Sequence, residues 1–185
     1  MNIETNLKVR IIPVIQYHNF QIVKSRSFED YRTWGNLEMT VDTFNKRRVD
    51  ELIIIDSSAS KNKKPELNTF VLNVLSRNCL MPVSFGGGIQ TLKDIEACLK
   101  HGCDKVIINT IVLKKPEFLK DAVRCFGSQC IIVSVDYKMD KNNKPILFSH
   151  CKYKEHQLDF IEYICYCALI KIKPQEATWL IKNRR

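Results

Sequence analysis

The chain has 185 residues, enough for one sizeable core and too few for two full domains. Hydrophobic residues make up 45% and charged residues 26%, which is the balance of a globular chain rather than a disordered one. The formal charge of +9 is scattered, with Lys61-Asn62-Lys63-Lys64 its densest cluster; no recognition motif accompanies it, so nucleic acid is not expected as a partner, and no apolar run is long enough to cross a bilayer.

The start, MNIETNLKVR, is polar and carries no export signal. VRIIPVIQY, Val9 to Tyr17, predicts a buried strand, and FQIVKSR a short second one. GNLEMTVDTFNKRRV predicts a helix. ELIIIDSSAS predicts a strand, apolar until Asp56. PELNTFVLNVLSRN predicts an amphipathic helix with Leu67, Phe70, Val71, Val74 and Leu75 on one face. MPVSF is a short strand that ends in Gly86-Gly87-Gly88. TLKDIEACLKHG predicts a helix with Thr91 as N-cap, Asp94 three residues on, and Gly102 as C-cap. DKVIINTIV predicts a strand, PEFLKDAVRCFG a helix and CIIVSVDYK a strand. PILFSHCKYK reads as a hairpin insert. LDFIEYICYCALIKI predicts a last helix whose apolar spacing runs Leu158, Ile161, Ile164, Cys165, Ala168, Leu169, Ile172. Pro174 and a short tail, QEATWLIKNRR, follow.

The eight cysteines include no CxxC pair, only the CxC of Cys165 and Cys167. With no export signal they are expected as reduced, mostly buried thiols in the cytoplasm. Ligand spacing is poor and the four histidines are dispersed, so neither a metal nor a cofactor is expected.

Apolar strands alternating with helices imply a parallel sheet built through right-handed crossovers. A dinucleotide fold places its glycine-rich turn after the first strand. Here the glycines follow the third main strand, which favours a (β/α) barrel. RIIPVIQYH and CIIVSVDYK are alike, with Gln16 opposite Asp136, as in a barrel of two similar halves. An eight-stranded barrel takes roughly 200 to 250 residues. The expected architecture is therefore α/β, about the first five βα units of a TIM barrel. Residues 1–150 form the N-terminal part of the barrel and residues 151–185 a divergent helical tail.

FGGGI admits two readings. Glycines leading into a helix can cradle a phosphate on backbone N–H groups, or they can serve a tight strand-to-helix turn. Asn109-Thr110, at the end of the next strand, can donate to the same phosphate or act as a cap.

RIIPV, VDELIIID, FGGGI, DKVIINT, FGSQ and VSVDYK follow one another in order and spacing. From about Lys8 to Phe148 the chain resembles the cyclase subunit of imidazole glycerol phosphate synthase. That resemblance implies a (β/α)8 TIM-barrel lyase of histidine biosynthesis. It also implies a glutaminase partner whose ammonia reaches a bisphosphorylated ribulosyl aminoimidazole carboxamide nucleotide. The products would be imidazole glycerol phosphate and an aminoimidazole carboxamide ribotide. Asp136 falls on one of the family's two acid–base aspartates and Gln16 on the other. Lys24, Asp56, Gly87, Gly88, Asn109 and Thr110 fall on substrate and phosphate positions. Arg10, Glu51 and Lys105 fall on three members of the charged ring through which ammonia enters. An amide cannot exchange protons at neutral pH, so Gln16 implies loss of most cyclase turnover. Phe20, Val23, Lys24 and CLMPVSFGGGIQTL look closer to divergent relatives of that subunit. Those act beside an amidotransferase in amidination of surface sugars, where the barrel delivers ammonia without closing a ring. An inactive truncated remnant is a third expectation, and open barrel edges imply self-association.

Overall fold

A computed structural model describes residues 9–26, 29–59, 66–149, 154–155 and 158–170. The Lys61–Lys64 cluster, Cys151, Ile172, Pro174 and the tail lie outside the described residues.

The first strand is Val14–His18 (β1). Asn19 and Phe20, both at positive φ (45° and 65°), turn it into Gln21–Arg26 (β2) in a two-residue hairpin. Glu29–Gly35 (β3), which the sequence pattern did not predict, pairs with β2. The expected start of β1 at Val9 is corrected. The strand begins after Pro13, and Val9 and Ile11 are 85% and 74% exposed. Ile53 N of the strand Leu52–Asp56 still reaches the Pro13 carbonyl at 2.9 Å. Four further strands follow: Leu52–Asp56 (β4), Val83–Gly86 (β5), Lys105–Ile108 (β6) and Ile131–Val133 (β7). The seven form one sheet in the order β3-β2-β1-β4-β5-β6-β7, and β1, β4, β5, β6 and β7 are parallel.

The order of the parallel strands never reverses. Each right-handed crossover therefore steps the same way, and all helices fall on one face. A doubly wound sheet would reverse at a switch point. This is the arrangement of a barrel wall, unclosed among the described residues.

The helices are Leu37–Arg47 (α1), Thr69–Asn78 (α2), Leu92–Lys100 (α3), Thr110–Lys114 (α4), Glu117–Phe126 (α5) and Phe160–Leu169 (α6). Asn36 caps α1 and Asn68 caps α2 through their side-chain oxygens. The predicted capping box of α3 is present: Thr91 Oγ1 accepts from Asp94 N, and Asp94 returns a carboxylate to the Thr91 and Gln90 N–H groups. Gly102 follows α3 at φ 87°, the left-handed exit expected of it. The strand predicted across DKVIINTIV is corrected: it stops at Ile108, and Thr110–Lys114 is helical. Its β-branched residues suit either state once buried against the sheet, and Ile111 and Val112 are buried.

Strand alternation divides the apolar residues into two clusters. Ile15, Tyr17, Ile54, Phe85, Val106 and Val133 pack with Val71, Leu72, Ile95 and Leu119 of the helices. Ile53, Ile107 and Ile132, with Ile12 and Ile55, make a second cluster on the opposite, inner face. Phe70 does not join the core as predicted; it is 47% exposed and meets Phe20 edge-on at 6.0 Å.

The strand predicted over CIIVSVDYK breaks after Val133. Tyr137–Met139 (β8), Pro145–Ser149 (β9) and Lys154–Glu155 (β10) form a separate antiparallel sheet. Pairing of β9 with β10 is the predicted hairpin insert. The predicted face of α6 is corrected as well. Tyr163 and Cys167 are the buried positions, whereas Ile161 and Leu169 are 59% and 81% exposed. Tyr163 and Cys167 join the main core, and the Tyr166 hydroxyl donates to the Pro116 carbonyl, so α6 rests on the start of α5.

Candidate active site

Polar residues collect at the two ends of the parallel strands. At the C-terminal end, Asn109 stands one residue beyond β6 and Asp136 three beyond β7. Asn109 Nδ2 donates to Asp136 Oδ2 at 3.0 Å. Asn109 heads α4 without a side-chain cap bond, and its side-chain N–H group goes to the aspartate. Asp136 is 8% exposed. Such a carboxylate can exchange a proton or accept from a substrate hydroxyl. Gln16 lies on β1, paired with Ile55, and its side-chain oxygen accepts from Ser25 Oγ. Thr110 opens α4 beside Asn109.

The three glycines have steric causes within the chain. A Cβ on Gly86 would sit 2.9 Å from Ile107 Cβ and 3.2 Å from Ile55 Cδ1, on the inner face. On Gly87 (φ 124°) it would lie 2.3 Å from the Asp56 carbonyl oxygen, and on Gly88 (φ 74°) 2.2 Å from the Glu66 carbonyl oxygen. Close backbone approach by the β4 and α2 connections is enough to require glycine here.

Two predicted site residues stand apart from Asn109 and Asp136. Asp56 is 1% exposed, with Oδ1 accepting from Ser58 N (2.8 Å) and Ser58 Oγ, and Oδ2 from Asn68 Nδ2 (2.8 Å). It braces the turn into α2. Strand parity explains the placement, because Asp56 is one residue off the inner row of Ile53 and Ile55. Lys24 lines a cleft with Ile15, Trp34, Thr40 and Phe44 between the β1–β3 hairpins and α1. That is the helix-bearing face.

At the N-terminal end of the strands Arg10, Glu51 and Lys105 come together. Glu51, buried, receives Lys105 Nζ at 3.3 Å on both oxygens and Ser84 Oγ at 2.8 Å, with Arg10 at 3.9 Å. Ser84, a lone polar residue in MPVSF, was the unread signal for this cluster. At the other end the unread residues are His18, Ser57 and Tyr31. Alternation from Gln16 pointed to His18, but nothing in the sequence joined it to Ser57 or Tyr31. Among the described residues, no group of His, Cys, Asp and Glu is arranged to hold a metal ion.

A singly wound parallel sheet with polar side chains at its strand ends defines the class: the wall of a TIM-barrel protein. The family model described as "Histidine biosynthesis protein" matches residues 10–169, and the chain belongs to this TIM-barrel family. A Campylobacter jejuni protein provisionally named an imidazole glycerol phosphate synthase subunit, hisF2, is 46% identical over 132 residues, covering 71% of this chain and 52% of its own length. A Vibrio vulnificus protein of the same provisional name is 37% identical over 158 residues, covering 85% of this chain and 57% of its own. The chain thus spans about half the length of these curated relatives.

Proposed function

We propose that the chain supplies the N-terminal half of a cyclase-type barrel in histidine biosynthesis. In this reading ammonia from a glutaminase subunit enters beside Arg10, Glu51 and Lys105 and reacts at the rim that carries Asp136. One observation carries the reading. The Glu51–Lys105–Ser84 cluster and the Asn109–Asp136 pair occupy opposite ends of the same parallel sheet. The isoleucine cluster of the inner face lies along the strands between these ends. Asp136 serves as the acid–base group, and the N–H groups near Gly87 and Gly88, with Asn109 and Thr110, grip a substrate phosphate. The test supplies the bisphosphorylated ribulosyl nucleotide and ammonium chloride and follows formation of the imidazole product by proton NMR. Product that disappears in Asp136→Asn supports the reading; product unchanged by that substitution contradicts it.

Gln16 supports a second reading. Its oxygen is bonded to Ser25 and its amide cannot exchange protons. The barrel would then deliver ammonia to an amidotransferase that amidinates a surface sugar, in the cytoplasm, without closing a ring. Glutamine-dependent amidination of a sugar that requires this chain, with no imidazole product, would favour it. An inactive remnant would show neither activity and no cooperative melt.

A further inference from the structure

The geometry points to Phe20 and Phe70 as the platform that holds the heteroaromatic ring of the substrate nucleotide, an inference that rests on the cyclase-type reading above. Phe20 stands in the turn that follows β1, and Phe70 in the first turn of α2, which follows β4. β1 and β4 are neighbours in the sheet. The two residues therefore meet over adjacent strand ends, on the rim that carries Asn109 and Asp136. Their ring centroids are 6.0 Å apart and the planes are inclined by 66°.

Phe20 is costly where it stands. Both turn residues have positive φ, 45° at Asn19 and 65° at Phe20. Such a turn favours Asn followed by Gly, because glycine takes the second position without a Cβ penalty. A ring buried in the core could offset that cost, but Phe20 is 73% exposed and Phe70 47%. An edge-on contact between two exposed rings recovers only part of what burial would give. Strained backbone of this kind collects at ligand clamps. Here it holds one phenyl ring out of the core and against another, so that two aromatic surfaces stand open side by side.

The pair is tied to the phosphate grip. The Glu66 carbonyl presses on Gly88, where a Cβ would lie 2.2 Å from its oxygen, and the Asp56 carbonyl presses in the same way on Gly87. Asn68 accepts from Val71 N and donates to Asp56 Oδ2 at 2.8 Å, which fixes the start of α2 to the end of β4. Phe70 comes four residues after Glu66, so its Cα stands at most about 14 Å from the backbone that touches Gly88. A nucleotide joins its phosphate to its ring through one sugar. With the phosphate on the N–H groups near Gly87 and Gly88, the phenyl faces lie within reach of the ring. Stacking asks only for a flat π-face, and the aminoimidazole carboxamide supplies one.

Three substitutions test this. The bisphosphorylated ribulosyl nucleotide is titrated into the full chain by calorimetry, and urea midpoints are measured alongside. Phe20→Gly and Phe70→Ala should each raise the nucleotide Kd roughly tenfold or more. Glycine accepts a φ of 65°, so Phe20→Gly should at the same time hold or raise the urea midpoint. Phe20→Tyr keeps the ring and should bind as the wild type does. A midpoint that falls in Phe20→Gly makes Phe20 a residue of the fold and overturns the proposal. Phe20→Tyr binding as weakly as Phe20→Gly overturns it too, because the ring is then not what is recognised. An unchanged Kd in either Phe20→Gly or Phe70→Ala overturns the platform while the cyclase-type reading stands. A wild type that does not bind the nucleotide overturns both.

Discussion

Gly87 and Gly88 lack side chains because neighbouring backbone fills the space a Cβ would need. Gly87→Ala and Gly88→Ala should each cost about 3 kcal/mol or more, combining a forbidden backbone angle with overlap against immobile carbonyls. Gly102, with nothing within 4 Å of a Cβ, carries only its φ of 87°. Gly102→Ala should cost about 1–2 kcal/mol. Urea denaturation of the three variants checks the order. The Glu51 cluster makes a second prediction. Glu51→Ala leaves Lys105 and Ser84 without their acceptor in a mostly buried place and should cost about 1–3 kcal/mol. Arg10→Ala, at an exposed and long contact, should change stability by under about 0.5 kcal/mol. A third concerns thiols. Burial, then the charge of Asp104, pushes Cys103 from 9.0 up to about 12, and burial pushes Cys167 up to about 11. Their folded-state values lie above the unfolded ones. The stability they contribute is full below about pH 9 and is lost as pH rises through 11 to 12. The urea midpoint should fall over that window, and less steeply in Cys103→Ala. Exposed Cys125 and Cys165 should react with a thiol reagent well before buried Cys98 and Cys103.

At the scale of elements, α3 shows what the sequence made legible. Its capping box could be read from Thr91 and Asp94, since the chemistry of a cap is local. Asp94→Ala should cost about 1–2 kcal/mol, measured by urea melt, because Gln90 N, Thr91 N and the box all depend on one carboxylate. The existence of the parallel strands was legible too, as apolar runs between helices, although the bounds of β1, β6 and β7 were not. The face of α6 was not. Apolar residues surround that helix, and only its packing selects Tyr163 and Cys167 over Ile161 and Leu169. The short helix α4 was misread because Thr110, Ile111 and Val112 favour strands locally and helix only in this tertiary setting. The candidate site was legible where two residues meet through known geometry, as with Glu51 and Lys105. It was less so where one step of parity sends a residue elsewhere: Asp56 is chemically apt for a sugar hydroxyl, but it lies off the inner row and braces a turn.

At the scale of the whole molecule, the described sheet ends at β3 on one side and β7 on the other. A full barrel of this family would continue beyond β7. The chain spans 52% and 57% of its two relatives, which matches a wall rather than a closed ring. The most direct test of the central claim, that the C-terminal rim is the reacting end, is a titration of the isotope-labelled chain with the bisphosphorylated ribulosyl nucleotide, followed by amide NMR. The account predicts shifts concentrated at Gly87, Gly88, Asn109, Thr110 and Asp136. Shifts confined to the Arg10–Glu51–Lys105 end, or none at saturating nucleotide, would contradict it.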